Sequence, residues 1–190
     1  VVTTPTEIVK YMVDKTLSKV CEGKTPSEIL DISVADIACG SGIFLEEAFA
    51  YLQDYCVQWY ICNGQTDHLI ETGIDLYKLP LQEKKDILCS CIYGIDIDIH
   101  AVEVAKFSLL IKLIEDETAP SVSEVVPILP DLGDNIQFGN SLVSQTELNG
   151  ISGANHQMME IAPFDWSTIN NGCGFDVIIG NPPYVNTEGM

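Results

Sequence analysis

The stretch Asp36-Ile-Ala-Cys-Gly-Ser-Gly-Ile-Phe-Leu45 is preceded by a short apolar run from Ser33 and followed by Ala48/Phe49, Leu52, Cys56 and Trp59 at helical spacing. That pattern reads as strand, glycine turn, helix. The glycines lie at the carboxyl end of the strand, where backbone must approach a ligand closely in an open α/β sheet, so a nucleotide-like ligand is expected there. The stretch is neither the GxGxxG dinucleotide fingerprint nor a phosphate loop, because no Lys-Ser/Thr follows the second glycine. A turn needed only for packing would use the same glycines.

Working outward, Thr4-Pro5-Thr6-Glu7 has the form of a capping box with proline at the first helical position. Ile8, Met12, Thr16/Leu17 and Val20 continue it at helical spacing. Thr25-Pro26-Ser27-Glu28 repeats the signature before Ile29-Leu30, predicting a second, brief helix. Asn63 to Thr72 reads as a polar loop, Gln82 to Leu88 as a helix, Cys91 to Ile95 as a second strand, and about Ala101 to Ile114 as a helix. Pro120, Pro127 and Pro130 mark an irregular connection to a third strand, Ile136-Gln137-Phe138. Asn149 to Gly174 reads as a long linker before the last strand, Phe175 to Ile179. Strands alternating with helices imply parallel βαβ units in an α/β, doubly wound sheet.

Two further strand ends carry chemistry. Gly94-Ile95-Asp96-Ile97-Asp98 closes the second strand with a carboxylate suited to ribose hydroxyls and an isoleucine suited to flank an adenine, while Asp98 reads as an N-cap. Asn181-Pro182-Pro183-Tyr184 closes the last. An exocyclic amine on an aromatic base is a poor nucleophile, because its lone pair is delocalised into the ring. Acceptors aimed at the amine hydrogens, the Asn181 side-chain oxygen and the Pro182 carbonyl, would favour a pyramidal nitrogen as positive charge develops. Prolines make the turn rigid, and Tyr184 offers a ring on which an extruded base can stack. The alternative is a strand that ends in a proline turn with a core tyrosine.

Composition narrows the classes. At 190 residues, 46% hydrophobic and 19% charged, the chain suits one globular domain. No segment approaches the roughly 18 apolar residues of a membrane span, so a soluble, cytoplasmic protein is expected. A net charge of -19 argues against this segment gripping a phosphate backbone unaided. Seven cysteines include no CxxC pair, which favours reduced thiols, and no metal site is expected. Trp59 and Trp166 read as packing residues, Glu83-Lys84-Lys85-Asp86 as a solvated helix face, and His100 as a helix-start residue. The Val1-Val2 start and the abrupt end suggest a piece of something longer.

Together the stretches "TTPTEIVKYM", "DIACGSGIFL", "GIDIDIHAVEVA", "FGNSL" and "FDVIIGNPPYV" resemble, in order, the amino-group DNA methyltransferases whose cofactor motifs precede the catalytic one. The resemblance covers nearly the whole chain, with insertions near 60 to 85 and 143 to 172. It implies a Rossmann-like fold, S-adenosylmethionine as cofactor, and transfer of its methyl group to N6 of adenine in a restriction-modification system. Carried over, Thr4 would touch the methionine carboxylate, and Asp36, Ala38, Gly40 and Gly42 would form the cofactor loop. Asp96 would hold the ribose, Ile97 the adenine face and Asn140 the cofactor's adenine amine. Asn181 and Pro182 would activate the target amine and Tyr184 would stack on it. Ser141 brings no ring to cover the cofactor's adenine.

The resemblance also implies that the chain is one partial catalytic domain, residues 1–32 a helical segment and 33–190 the α/β half, stopping after strands in spatial order 3-2-1-4. The fourth strand would then be an exposed apolar edge prone to pair with another chain. Target recognition, DNA contact and any nuclease or specificity domain or subunit would reside outside it, and the fragment alone would methylate little DNA. "NPPYV" looks more like the combined restriction and methylation enzymes (type IIG) than type I modification subunits. The competing readings are a protein-glutamine or ribosomal-RNA guanine methyltransferase, which share Asn-Pro-Pro-Tyr, and an inactive scaffold domain.

Overall fold

Val34-Ala35-Asp36 is a β-strand, β1, buried at all three positions because it lies inside a parallel sheet. The computed structural model describes residues 4–118, 125–144 and 161–182. Around β1 stand β4 (Ile92–Asp96), β5 (Ile136–Phe138) and β6 (Val177–Ile178), all parallel, in the order β5-β4-β1-β6. In chain order of the sheet strands this is the expected 3-2-1-4. Register sets Asp36 beside Gly94 and Asp96 beside Phe138, so the two carboxylates end neighbouring strands at the same sheet edge.

The helices described include α1 (Thr6–Cys21), α2 (Pro26–Ile29), α3 (Ile43–Cys62), α4 (Leu81–Cys91) and α5 (Ile99–Ile114). Val9, Val13 and Leu17 of α1, Leu45, Phe49 and Leu52 of α3 and Leu109 of α5 share one core with Val34, Ile92, Ile136, Val177 and Ile179 of the sheet. Each such side chain contributes about 1.5–3 kcal/mol by leaving water. The opposite sheet face, with Ala35, Tyr93 and Ile95, is covered by Phe164, Ile169 and Phe175 from the connection before β6. That connection, read from sequence as plain linker, therefore supplies packing, with Trp166 set edge-on against Phe164. Buried Cys21, Cys39, Cys56 and Cys91 are free thiols within this interior, and burial pushes Cys56 up to about 12.

β6 is pinned at its base as well as along its ladder. The Asp176 carboxylate accepts from both the backbone N–H and the hydroxyl of Ser33, at 2.8 and 2.9 Å. Ile178 is left 61% exposed, and among the described residues no strand pairs with the outer edge of β6. No described helix is long and apolar enough to cross a membrane.

Three sequence readings need correction. The polar stretch from Asn63 contains a single 3-10 turn, Thr66–His68, and then an antiparallel hairpin of β2 (Ile70–Gly73) and β3 (Leu76–Lys78). Its apolar residues Ile70, Ile74 and Leu76 are interrupted by Gly73 and Asp75, and Ile74 and Leu76 face solvent and not a core. The capping box read at Thr4–Glu7 does not form: Pro5 occupies the cap position of α1 with no side-chain cap, whereas the Thr25–Glu28 box is complete. Lys84, read on a solvated face, is buried.

Lys84 is buried because it has a partner. Its Nζ lies 2.7 Å from Glu117, whose other oxygen holds Lys78 Nζ at 3.0 Å, joining α4, β3 and the segment beyond α5. Removing one charge from a buried pair costs about 3–5 kcal/mol, whereas replacing a pair by apolar groups is close to neutral. Glu117→Gln is therefore expected to lower stability by about 3 kcal/mol in urea unfolding, with Lys84→Met restoring much of it. A loss below about 1 kcal/mol for Glu117→Gln would contradict this reading.

Candidate active site

The carboxyl ends of the four parallel strands meet at one edge, and the loops that leave them are bonded to one another. Ala38 donates its backbone N–H to Asp36 at 3.0 Å, and Gly40 donates to Asp96 at 2.7 Å, so the glycine loop is strung between the carboxylates of β1 and β4. Asp96 also accepts from Asp98 N–H at 2.9 Å, and Cys39 N–H donates to the Ile95 carbonyl. Asp98 caps α5 through His100 N–H, as its position suggested. The loop after β5 joins through Gly139 N–H to the Asp96 carbonyl and Ser141 Oγ to the Ile37 carbonyl at 2.7 Å.

Glycine is required here for two different reasons. Gly40 has φ +53°, and a β-carbon on it would meet nothing within 4 Å, so the loop opens to space at that point. Gly42, the N-cap of α3 at φ +91°, sits 3.1 Å from Ala105 of α5 by the same measure and is a packing glycine. Of the residues expected in the cofactor loop, Gly40 faces open space, Asp36 is buried beneath the loop with the Ala38 N–H bonded to it, and Gly42 fixes the helix behind it.

The Asn181-Pro182-Pro183-Tyr184 stretch begins against the same loop. Ile179 N–H donates to the Ala35 carbonyl, carrying the chain alongside β1, and Gly180 then lies on Asp36. A β-carbon at Gly180 would be 2.4 Å from Asp36 Oδ1 and 2.8 Å from its Cγ. Asn181 and Pro182 follow, both exposed, and the Asn181 amide Nδ2 donates to the Thr4 hydroxyl at 3.2 Å. Tyr184 lies outside the described residues.

Ile97 is 55% exposed at the end of β4. Asn140 Oδ1 accepts from Leu142 N–H at 3.1 Å, which spends one of its two lone pairs. Thr4, read as both a helix cap and a cofactor contact, performs no capping, and its hydroxyl accepts from Asn181. Gly180 and Ser141 join this cluster of loops through contacts with Asp36 and Ile37 that the motif reading did not foresee. Neither carries a local signal: each matters through a contact with a strand far away in sequence.

Burial dominates the electrostatics of the site. Loss of water pushes the Asp36 carboxyl up to about 6; the Ala38 N–H opposes this and the nearby Asp96 charge adds to it. Cys39 is raised for the same reason, by burial first and then by the two carboxylates. A site that makes a buried carboxylate costly to ionise favours a ligand that brings positive charge.

Comparison with known proteins agrees with this architecture. The profile of the Eco57I restriction-modification methylase family matches residues 90–190, the half that holds β4, β5, β6 and the tetrapeptide. The type II restriction enzyme and methyltransferase RM.Eco57I of Escherichia coli is 45% identical over 190 residues, all of this chain and 18% of its own length. RM.MjaORFECS2P of Methanocaldococcus jannaschii is 34% identical over 122 residues, 64% of this chain and 9% of its own. The chain thus spans less than a fifth of the length of these curated relatives. By the profile match and by identity over its full extent, the chain belongs to the Eco57I restriction-modification methylase family.

Proposed function

We propose that the chain is the cofactor-binding and catalytic part of a single methyltransferase domain that moves a methyl group from S-adenosylmethionine to N6 of adenine in DNA, within a restriction-modification system. The observation that carries this reading is the seating of Gly180 on the Asp36 carboxylate. A ligand held by the glycine loop and a base offered to Asn181 are then immediate neighbours, as direct transfer between them requires.

The residues suit that cofactor. Gly40 leaves room for a ligand against the loop, and Asp96, already holding two N–H groups, retains lone pairs for two ribose hydroxyls. Ile97 offers an apolar surface to the adenine, and Asn140 keeps one lone pair for its amine. Thr4 offers a hydroxyl to the methionine carboxylate, and Asp36 a negative charge to the cationic end. When bound, S-adenosylmethionine would supply an electrophilic methyl group, its sulfur retaining the electron pair of the S–CH3 bond, and the methylated amine would shed one proton to solvent.

The chain's part in that transfer is positional and electrostatic. Asn181 Oδ1 and the Pro182 carbonyl accept the amine hydrogens and stabilise charge developing on nitrogen, and Tyr184 stacks on the extruded base. With its charge of -19, this part leaves the DNA backbone to basic surface elsewhere in a longer protein, together with target recognition and any nuclease or specificity module. Such a protein works in the cytoplasm.

Nucleoside analysis of DNA treated with the full-length protein and cofactor is expected to reveal N6-methyladenine. Methylated guanine, or methyl transfer to protein glutamine, would overturn the assignment. Asn181→Ala is expected to lower kcat by about 100-fold or more while the cofactor Kd changes less than about threefold. Equal losses in kcat and cofactor affinity would place Asn181 in cofactor binding instead.

Asp36 predicts a pH signature. Its folded pKa of about 6 exceeds the ordinary 3.8, so the stability that comes from its neutral form is fully present below about pH 4 and is lost as pH rises through 6. Asp36→Asn removes that charge. It is expected to stabilise the cofactor-free protein by on the order of 2–3 kcal/mol at pH 8, with little gain near pH 4, while weakening cofactor binding. The same gain at both pH values in urea unfolding would contradict the assignment.

A further inference from the structure

We propose that Thr4 is a positioning residue for Asn181: its hydroxyl selects which end of the Asn181 amide faces the target amine, and bound cofactor commits it to the productive choice. The inference rests on the methyl-transfer reading above and extends it to the coupling between the two substrates.

The contact joins residues 177 positions apart, and both are held by the fold. On one side, Pro5 at φ -57° precedes α1, whose Val9, Val13 and Leu17 are locked in the core. On the other, the Ile179 ladder bond and the seating of Gly180 on Asp36 fix the start of the tetrapeptide. Thr4 stands one residue before Pro5, the N-cap of α1, and α1 takes no side-chain cap, so the Thr4 hydroxyl is not spent on the first turn of the helix. Its oxygen accepts from Asn181 Nδ2 instead.

The chemistry of the two groups gives that contact a consequence. A side-chain amide has two ends of nearly equal size, one an acceptor and one a donor. Only with Nδ2 turned toward Thr4 does Oδ1 remain for the amine hydrogens of the base. A threonine hydroxyl has one proton and two lone pairs, so by itself it can accept from Nδ2 or donate to Oδ1. A carboxylate on Thr4 takes the single proton. The hydroxyl then has only lone pairs to offer Asn181, and the amide must present Nδ2 to it. Cofactor occupancy thereby sets the amide for the base.

Equilibrium binding and single-turnover transfer, on the full-length protein with a duplex carrying its recognition site, test this together. S-adenosylhomocysteine has the carboxylate but no methyl to transfer. It is expected to raise the preference for adenine over purine, which lacks the amine, at the target position by at least about threefold in the unaltered protein and in Thr4→Ser, and not in Thr4→Val. At saturating S-adenosylmethionine, Thr4→Val should lower the transfer rate by about tenfold and Thr4→Ser by little. In an Asn181→Asp background the two side-chain oxygens are alike and there is no amide end to select, so the loss from Thr4→Val should be well below the roughly tenfold loss seen with Asn181. A Thr4→Val variant that loses cofactor affinity alone, with unchanged base preference and saturated rate, would overturn the proposal, as would equal rate losses in both backgrounds. Failure of the unaltered protein to bind S-adenosylhomocysteine or methylate DNA would overturn the methyl-transfer reading and this inference with it.

Discussion

The contact between Gly180 and the Asp36 carboxylate constrains the site more than any other. Gly180 has no left-handed backbone to accommodate, so its small size is demanded by space alone: the volume a β-carbon would fill is held by Asp36. That closeness is possible because β6 lies directly beside β1, anchored at its base by Asp176 on Ser33 and along its length by the ladder. The tetrapeptide is thereby delivered to the glycine loop. A strand inserted between β1 and β6 would move the two from about 5 Å to about 10 Å apart and dissolve the site.

The same crowding explains the charge behaviour. Asp36 is shut away from water by the loop and by Gly180, so its ionised form is costly in the free protein. Two backbone N–H groups, from Ala38 and Gly40, are spent on Asp36 and Asp96, and these bonds give the loop its shape. Stability is thus surrendered at the place where a cationic ligand would recover it, a common arrangement at binding sites.

Much of this was legible in the sequence because it is local. The glycine turn after β1, the Asp96 strand end, the Asp98 cap and the Thr25–Glu28 box each depend on residues a few positions apart, and each lies where the pattern put it. Strand order was legible through family resemblance and not from periodicity. What escaped notice depends on distant partners. Lys84 looks like a surface lysine until Glu117 is brought beside it, and Thr4 looks like a cap until Asn181 arrives. Gly180 looks like a spacer until Asp36 occupies its missing side chain's place. The hairpin from Ile70 to Lys78 was missed because its strands, of four and three residues, are too short to show a period and are split by the turn at Ile74-Asp75.

The close seating of the tetrapeptide on the glycine loop is best tested by the methyl-transfer rate of Gly180→Ala at saturating S-adenosylmethionine, with thermal unfolding measured on the same sample. One methyl group must displace either Asp36 or the start of Asn181-Pro182. The account predicts a rate at least about 100-fold below that of the unaltered protein in a variant that still unfolds cooperatively. A cooperatively folded Gly180→Ala enzyme with the original rate would contradict it.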